Sequence, residues 1–129
     1  MLMVRRVRIS REAAGLLLAV SRELYPREMI ATLHGSYRKG VVTIKEIYII
    51  PDSVYGEGFA SFNPYTMPLD MSFMGVAHSH PSGVGLPSHE DLTHMMGRVM
   101  VILTAPYRDE RDIHVFDAKG SRLEVEVID

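Results

Sequence analysis

Residues Val99 to Thr104, VMVILT, form a continuous apolar run with no polar alternation. A strand with one wet face alternates apolar and polar side chains, whereas a strand covered on both faces leaves no place for the polar ones. The run therefore predicts an interior strand of a sheet that carries layers on both sides. The chain is large enough to build such a core. It has 129 residues, 47% hydrophobic and 23% charged, and a formal net charge of −2, and a chain of this size buries roughly two thirds of the surface that its unfolded form exposes.

The other elements group around that strand. Met3 to Ile9 ends in alternating Val and Arg, which suits a half-exposed strand, and Ser10 can cap a helix in which Ala13, Leu16, Leu17, Val20 and Leu24 fall at helical spacing before Pro26. Glu28 to His34 and Val41 to Ile50 read as strands joined by a polar turn, Gly35 to Gly40. Asp52 to Ser72 is rich in Gly, Pro, Asn, Ser and aromatics and reads as a long loop. Phe73 to His80 returns to strand character, Ser88 can open a short helix running to Gly97, and residues 113–116 and 123–128 read as a closing hairpin. The order β, α, ββ, β, α, βββ predicts an α/β layered domain, a mixed β-sheet with two main helices packed on it, with residues 1–129 as one unit.

Several function classes are disfavoured. The near-neutral charge does not suit a nucleic-acid or anionic-membrane binder, and Arg5, Arg6, Arg8 and Arg11 read as a solvated edge. The longest apolar run, Ala13 to Val20, is far short of the ~20 residues that span a bilayer, and no leader with a small-residue cleavage site is evident, so a cytoplasmic protein is expected. There is no cysteine against six histidines. Thiolate metal sites and thiol nucleophiles are excluded, and any metal chemistry falls to His and carboxylates.

One segment concentrates those groups: residues 76–92, VAHSHPSGVGLPSHEDL. Alternate residues of a strand project from one face with Cα atoms ~6.6 Å apart, so His78 and His80 can converge on one ion. Pro81 ends the strand and the glycine-bearing loop can turn the chain back. Ser88 at the next helix start then places Asp91 in the first turn, on the same side. Two imidazoles and a carboxylate are a ligand set that zinc accepts, with a fourth position left for water, as catalytic sites require. Each half of this pattern is ordinary, a strand with alternate histidines and a helix cap, but together they meet a joint geometric demand.

His78, His80, Pro81, Ser88 and Asp91 match HxHPx6SxxD, and in this the chain resembles the JAMM (MPN+) metalloproteases over nearly its whole length, especially the short archaeal members. The resemblance implies that family's curved, cytidine-deaminase-like sheet, one zinc ion, and a glutamate upstream, whose position Glu28 occupies. It casts Glu28 as general base, because a fourth protein ligand would close the water's position, and Ser88 as a hydrogen-bond donor to the developing oxyanion. It further implies an isopeptidase acting on the amide between the C-terminal tail of a ubiquitin-like protein and a lysine. A small archaeal modifier or a sulfur-carrier conjugate is the expected partner, since the chain has no room for the insertions that grasp two linked ubiquitins. A hydrolase that processes a sulfur-carrier protein and a metal-free scaffold module are the alternatives. Tyr55, Phe59, Phe62 and Tyr65, in the long loop, leave two readings open: a grip on the substrate tail, or closure of the core or a homodimer contact. His34, His89, His94 and His114 are expected to be ordinary residues, and without cysteine the loop after Pro81 is expected to be held only by packing and the metal.

Overall fold

A computed structural model of the chain describes residues 3–51 and 71–129. The four loop aromatics, Tyr55, Phe59, Phe62 and Tyr65, lie outside the described residues. In chain order the elements are β1 (Arg6–Ser10), α1 (Arg11–Leu24), β2 (Ile30–Arg38), β3 (Val41–Ile49), β4 (Phe73–His80), α2 (His89–Thr93), β5 (Val99–Thr104), a 3-10 turn (Glu110–Asp112), β6 (Ile113–Asp117) and β7 (Arg122–Ile128).

These strands make one mixed, strongly curved sheet. β2 pairs antiparallel with β3 and β4, β4 runs parallel to β5, and β5, β6 and β7 continue antiparallel. β1 runs parallel to both β3 and β7, which brings the far ends of the strand order together. All six residues of β5 are buried, as the unbroken apolar run requires. Val99, Val101 and Leu103 join the main core under α1, while Met100 and Ile102 pack with Phe116 and Met95 on the opposite face.

Ser10 caps α1, its side chain accepting the Ala13 N–H at 3.1 Å. The buried stripe is Ala13, Ala14, Leu17, Leu18 and Ser21. Leu16, expected inside, is instead 44% exposed. Ala14 and Leu18 take that place because the sheet meets the helix about one position round from the stripe that the larger side chains suggest.

Several boundaries differ from expectation, and β1 itself begins at Arg6 rather than Met3. β2 continues to Arg38 through a bulge between His34 and Gly35, so the turn to β3 is Lys39–Gly40 alone. Both turn residues have positive φ, 50° and 82°, the primed geometry whose twist suits a two-residue hairpin. At its other end β2 begins at Ile30, so Glu28 precedes the strand rather than sharing a strand face with His34. The second helix stops at Thr93, with His94 as its C-cap, well before Gly97. Among the described residues no helix is long and apolar enough to cross a membrane.

Candidate metal centre

β4 owes its position to pairing with β2 on one side and β5 on the other, and its alternation sorts its side chains into two tasks. Ala77 lies in the main core, and Ser79 is fully buried. His78 and His80 project from the other face, with ring centroids 5.0 Å apart. Pro81 ends the strand and the chain returns through residues 81–88 to α2. There Ser88 and Asp91 form a reciprocal capping box: the Asp91 N–H donates to Ser88 Oγ at 3.0 Å, and the Ser88 N–H donates to Asp91 Oδ2 at 2.8 Å. The cap does more than start a helix. It holds the carboxylate at a fixed angle toward the histidines.

The result is a compact trio. His78, His80 and Asp91 offer ligand atoms that all lie within 4.8 Å of one another. His78 Nε2 is 3.5 Å from Asp91 Oδ1, and His80 Nε2 is 3.2 Å from Asp91 Oδ2. Zinc donors at 2.0–2.1 Å in tetrahedral array stand roughly 3.3 Å from each other, so the set fits one zinc ion with little adjustment. His80 Nδ1 donates to the Val84 carbonyl at 2.8 Å. A carbonyl can only accept, so this bond keeps a proton on Nδ1 and leaves Nε2, which donates to Asp91 while no metal is bound, as the nitrogen that a metal would take in place of its proton, the outer-partner arrangement typical of metal-bound histidine.

The electrostatics agree with that role. Burial pushes the His78 pKa down to about 4, against the pull of Asp91, so its imidazole is neutral at physiological pH. For Asp91, desolvation opposes ionisation, but the hydrogen bond from His80, the nearby His78 and the bonds from Ser88 outweigh it and hold the carboxyl at about 2. His80 is shifted up, chiefly by its hydrogen bond to Asp91. A permanently ionised carboxylate beside two imidazoles is a donor set for a divalent cation.

Glu28 lies in the connection between α1 and β2, exposed to solvent yet close enough to the trio to feel His80, Asp91 and Glu90. Desolvation raises its pKa, His80 lowers it, and the two acidic neighbours raise it further. Its position follows from a residue that spacing alone did not single out. Ser79, between the two histidines, accepts the Met29 N–H on Oγ at 2.7 Å, and its own N–H donates to the Met29 carbonyl at 3.0 Å. The peptide next to Glu28 is thereby clamped to the strand that carries His78 and His80. The available signal was the alternation itself, which turns a serine between two histidines into the core, where its hydroxyl must find a backbone partner.

The other four histidines stand apart from the trio. His34 is hydrogen-bonded through its ring nitrogens to the Thr32 and Ser72 hydroxyls, 2.9 Å each, and packs on Tyr48. His94 lies 3.0 Å from the Glu90 carbonyl, and His89 is exposed at the start of α2. His114 lies between Thr104 and Arg122. The basic N-terminal edge is solvated as expected, with Arg8 on Glu126 and Arg11 on Asp129 in exposed pairs. The loop after Pro81 departs from expectation: side chains hold it too, Ser82 through the Val84 N–H and Arg122 through the Gly85 carbonyl.

Comparison with known proteins places this geometry in a family. Residues 10–118 match the model of prokaryotic homologues of the JAB domain. A Haloferax volcanii protein described as a probable metalloprotease is 33% identical over 131 residues, covering 95% of this chain and 80% of that one. Among solved structures, a JAB1/MPN domain protein from Archaeoglobus fulgidus is similar with a TM-score of 0.70 and 31% identity, over 95% of this chain and 99% of its own. Another, described as JAMM, a metalloprotease-like zinc site in the proteasome and signalosome, gives a TM-score of 0.67 and 29% identity over the whole of both chains. The two imidazoles and the capped carboxylate, a set that fits one zinc ion, therefore stand in a family setting: the chain belongs to the family of prokaryotic JAB-domain proteins.

Proposed function

We propose that the chain, acting as one unit in the cytoplasm, is a zinc-dependent isopeptidase that hydrolyses the amide between the C-terminus of a ubiquitin-like or small archaeal modifier and a lysine of its target. The observation that supports this best is a carboxylate, Glu28, held beside a His-His-Asp trio without being part of it. Three protein donors are what a catalytic zinc site supplies, and Glu28, within electrostatic reach of His80 and Asp91, is the carboxylate outside the trio that serves as base in this reading. His78, His80 and Asp91 are the ligands in this reading, and Glu28 and Ser88 the catalytic groups.

Zinc, when bound, supplies a Lewis acid and brings the pKa of a coordinated water to about 7. Glu28 takes a proton from the attacking water on its carboxylate and delivers it to the departing lysine nitrogen, which leaves as a neutral amine. A raised pKa suits a group that must both accept and release a proton near neutrality. Ser88 accepts the Asp91 N–H on its oxygen and has one proton to give. It gives that proton as a hydrogen bond to the substrate carbonyl oxygen as negative charge develops there.

The test is hydrolysis of purified modifier–lysine conjugates, with products identified by mass spectrometry. Cleavage that releases a free lysine ε-amine, stops with a strong chelator and returns with zinc is the expected result. Glu28→Gln is expected to lower turnover by at least about 100-fold while zinc content is kept. Undiminished activity in that variant would remove Glu28 from the base role. Release of a C-terminal extension or a cysteine adduct, with no lysine amine freed, would point instead to processing of a sulfur-carrier protein, and purified protein that takes up no zinc would point to a scaffold module.

A further inference from the structure

We propose that Arg122, together with His114, is a positioning residue for the zinc ligand His80. His80 is oriented by the Val84 carbonyl, 2.8 Å from its Nδ1. That carbonyl belongs to the loop 81–88, whose two large apolar side chains, Val84 and Leu86, are 53% and 59% exposed. Burial of those side chains cannot fix the loop. Its short-range bonds, Gly83 N–H to the His80 carbonyl and Val84 N–H to Ser82 Oγ, shape the turn but do not tie it to the rest of the molecule.

Arg122, at the start of β7, provides that tie. Its Nη2 donates to the Gly85 carbonyl at 2.9 Å, one peptide from Val84, and its Nη1 donates to His114 Nδ1 at 3.0 Å. His114 Nδ1 is thus an acceptor, so the ring proton is on Nε2, which donates to Thr104 Oγ1 at 2.9 Å. The guanidinium also lies 4.9 Å over the Phe116 ring. Gly85 rests against the imidazole so closely that a Cβ there would lie 3.0 Å from His114 Cε1 and Nε2. An unbroken series of contacts runs from the end of β5 through β6 and β7 to the loop, and from the loop to His80. A planar guanidinium can bridge two acceptors on separate elements at once, which a lysine ammonium on its flexible stem cannot do with the same rigidity.

The partners that orient a metal-bound histidine are worth roughly 10–100-fold in affinity. The contacts of Arg122 lie one step further out, and its effect reaches the metal only through the Val84 carbonyl. The inference rests on the reading of His80 as a zinc ligand. It does not depend on the identity of the substrate.

The experiment is zinc affinity of the 129-residue chain, measured by competition with a chromophoric chelator, beside the melting temperature of the zinc-free protein. Arg122→Ala is expected to weaken zinc binding about tenfold, Arg122→Lys to recover only part of the loss, and Gly85→Ala to reproduce it from the loop side. Ile44→Val, a mild core change remote from the loop, serves as the control for general loosening. Zinc affinity unchanged in both Arg122→Ala and Gly85→Ala would overturn the inference. So would a loss in Arg122→Ala no larger than Ile44→Val produces at an equal fall in melting temperature. His80→Ala separates the two levels of argument: if it abolishes zinc binding while Arg122→Ala is silent, only the positioning role fails. If His80→Ala leaves zinc binding intact, the ligand assignment fails and the positioning role falls with it.

Discussion

Two residues apart on one strand, His78 and His80 face the metal centre, and the serine between them faces the core. That middle residue carries a testable role. Ser79 is fully buried and holds Met29 by two hydrogen bonds, and Met29 is the immediate neighbour of Glu28. Ser79→Ala strands a buried N–H, which costs about 1–3 kcal/mol of stability, and it lets the Glu28 peptide drift. We expect zinc affinity to be retained while turnover falls roughly tenfold or more, because small misplacements of a reacting group cost that much. Amide hydrogen exchange supplies a check without substrate: the Met29 N–H should be protected in the wild type and exchange far faster in the variant. At this scale the meeting of His78, His80 and Asp91 was legible in the sequence, since strand alternation and a capping signature are local rules. Ser79 and Arg122 were not, because each acts on a segment distant in sequence, Met29 in one case and Gly85 in the other.

Among the elements, β5 was legible because a residue run buried on both faces advertises itself without reference to any partner. The ends of β2 and α2 were not. β2 outruns its expected limit because pairing with β3 resumes after the bulge at His34, a cross-strand event that no local pattern in β2 encodes. The 3-10 turn before β6 carries a further consequence. Buried Asp112 accepts two bonds from the Arg108 guanidinium, at 2.9 and 3.1 Å, and one from the Arg108 N–H at 2.7 Å. These bonds hold its carboxyl at about 2, below the ordinary 3.8. Because the folded value is the lower one, the ionised carboxylate stabilises the fold above about pH 4, and that contribution disappears as pH falls toward 2. Asp112→Asn should therefore lower stability by roughly 1 kcal/mol near pH 6, with allowance for the solvent around Arg108. Its stability should also fall less steeply than the wild type's between pH 4 and 2, as followed by urea unfolding.

In the molecule as a whole, the candidate ligands come from β4 and α2 and the proposed base from the connection between α1 and β2, so the fold brings together segments far apart in sequence. Zinc that binds only the folded arrangement stabilises it by mass action, about 4 kcal/mol at a thousandfold excess over the dissociation constant. The melting temperature should rise with zinc, fall back with chelator, and become insensitive to zinc in His78→Ala, as read by differential scanning fluorimetry. The layered α/β class was legible from element order. The strand order was not, because nothing local indicates that β1 runs parallel to both β3 and β7. The two-sided division of labour along β4 has one more implication. A slip of a single residue against β2 or β5 would turn both histidines toward the main core and bring Ala77 and Ser79 to the face that now holds the trio. A misaligned molecule is thus metal-blind, and zinc retention during purification becomes a quality assay for correctly registered protein, available before any substrate is known.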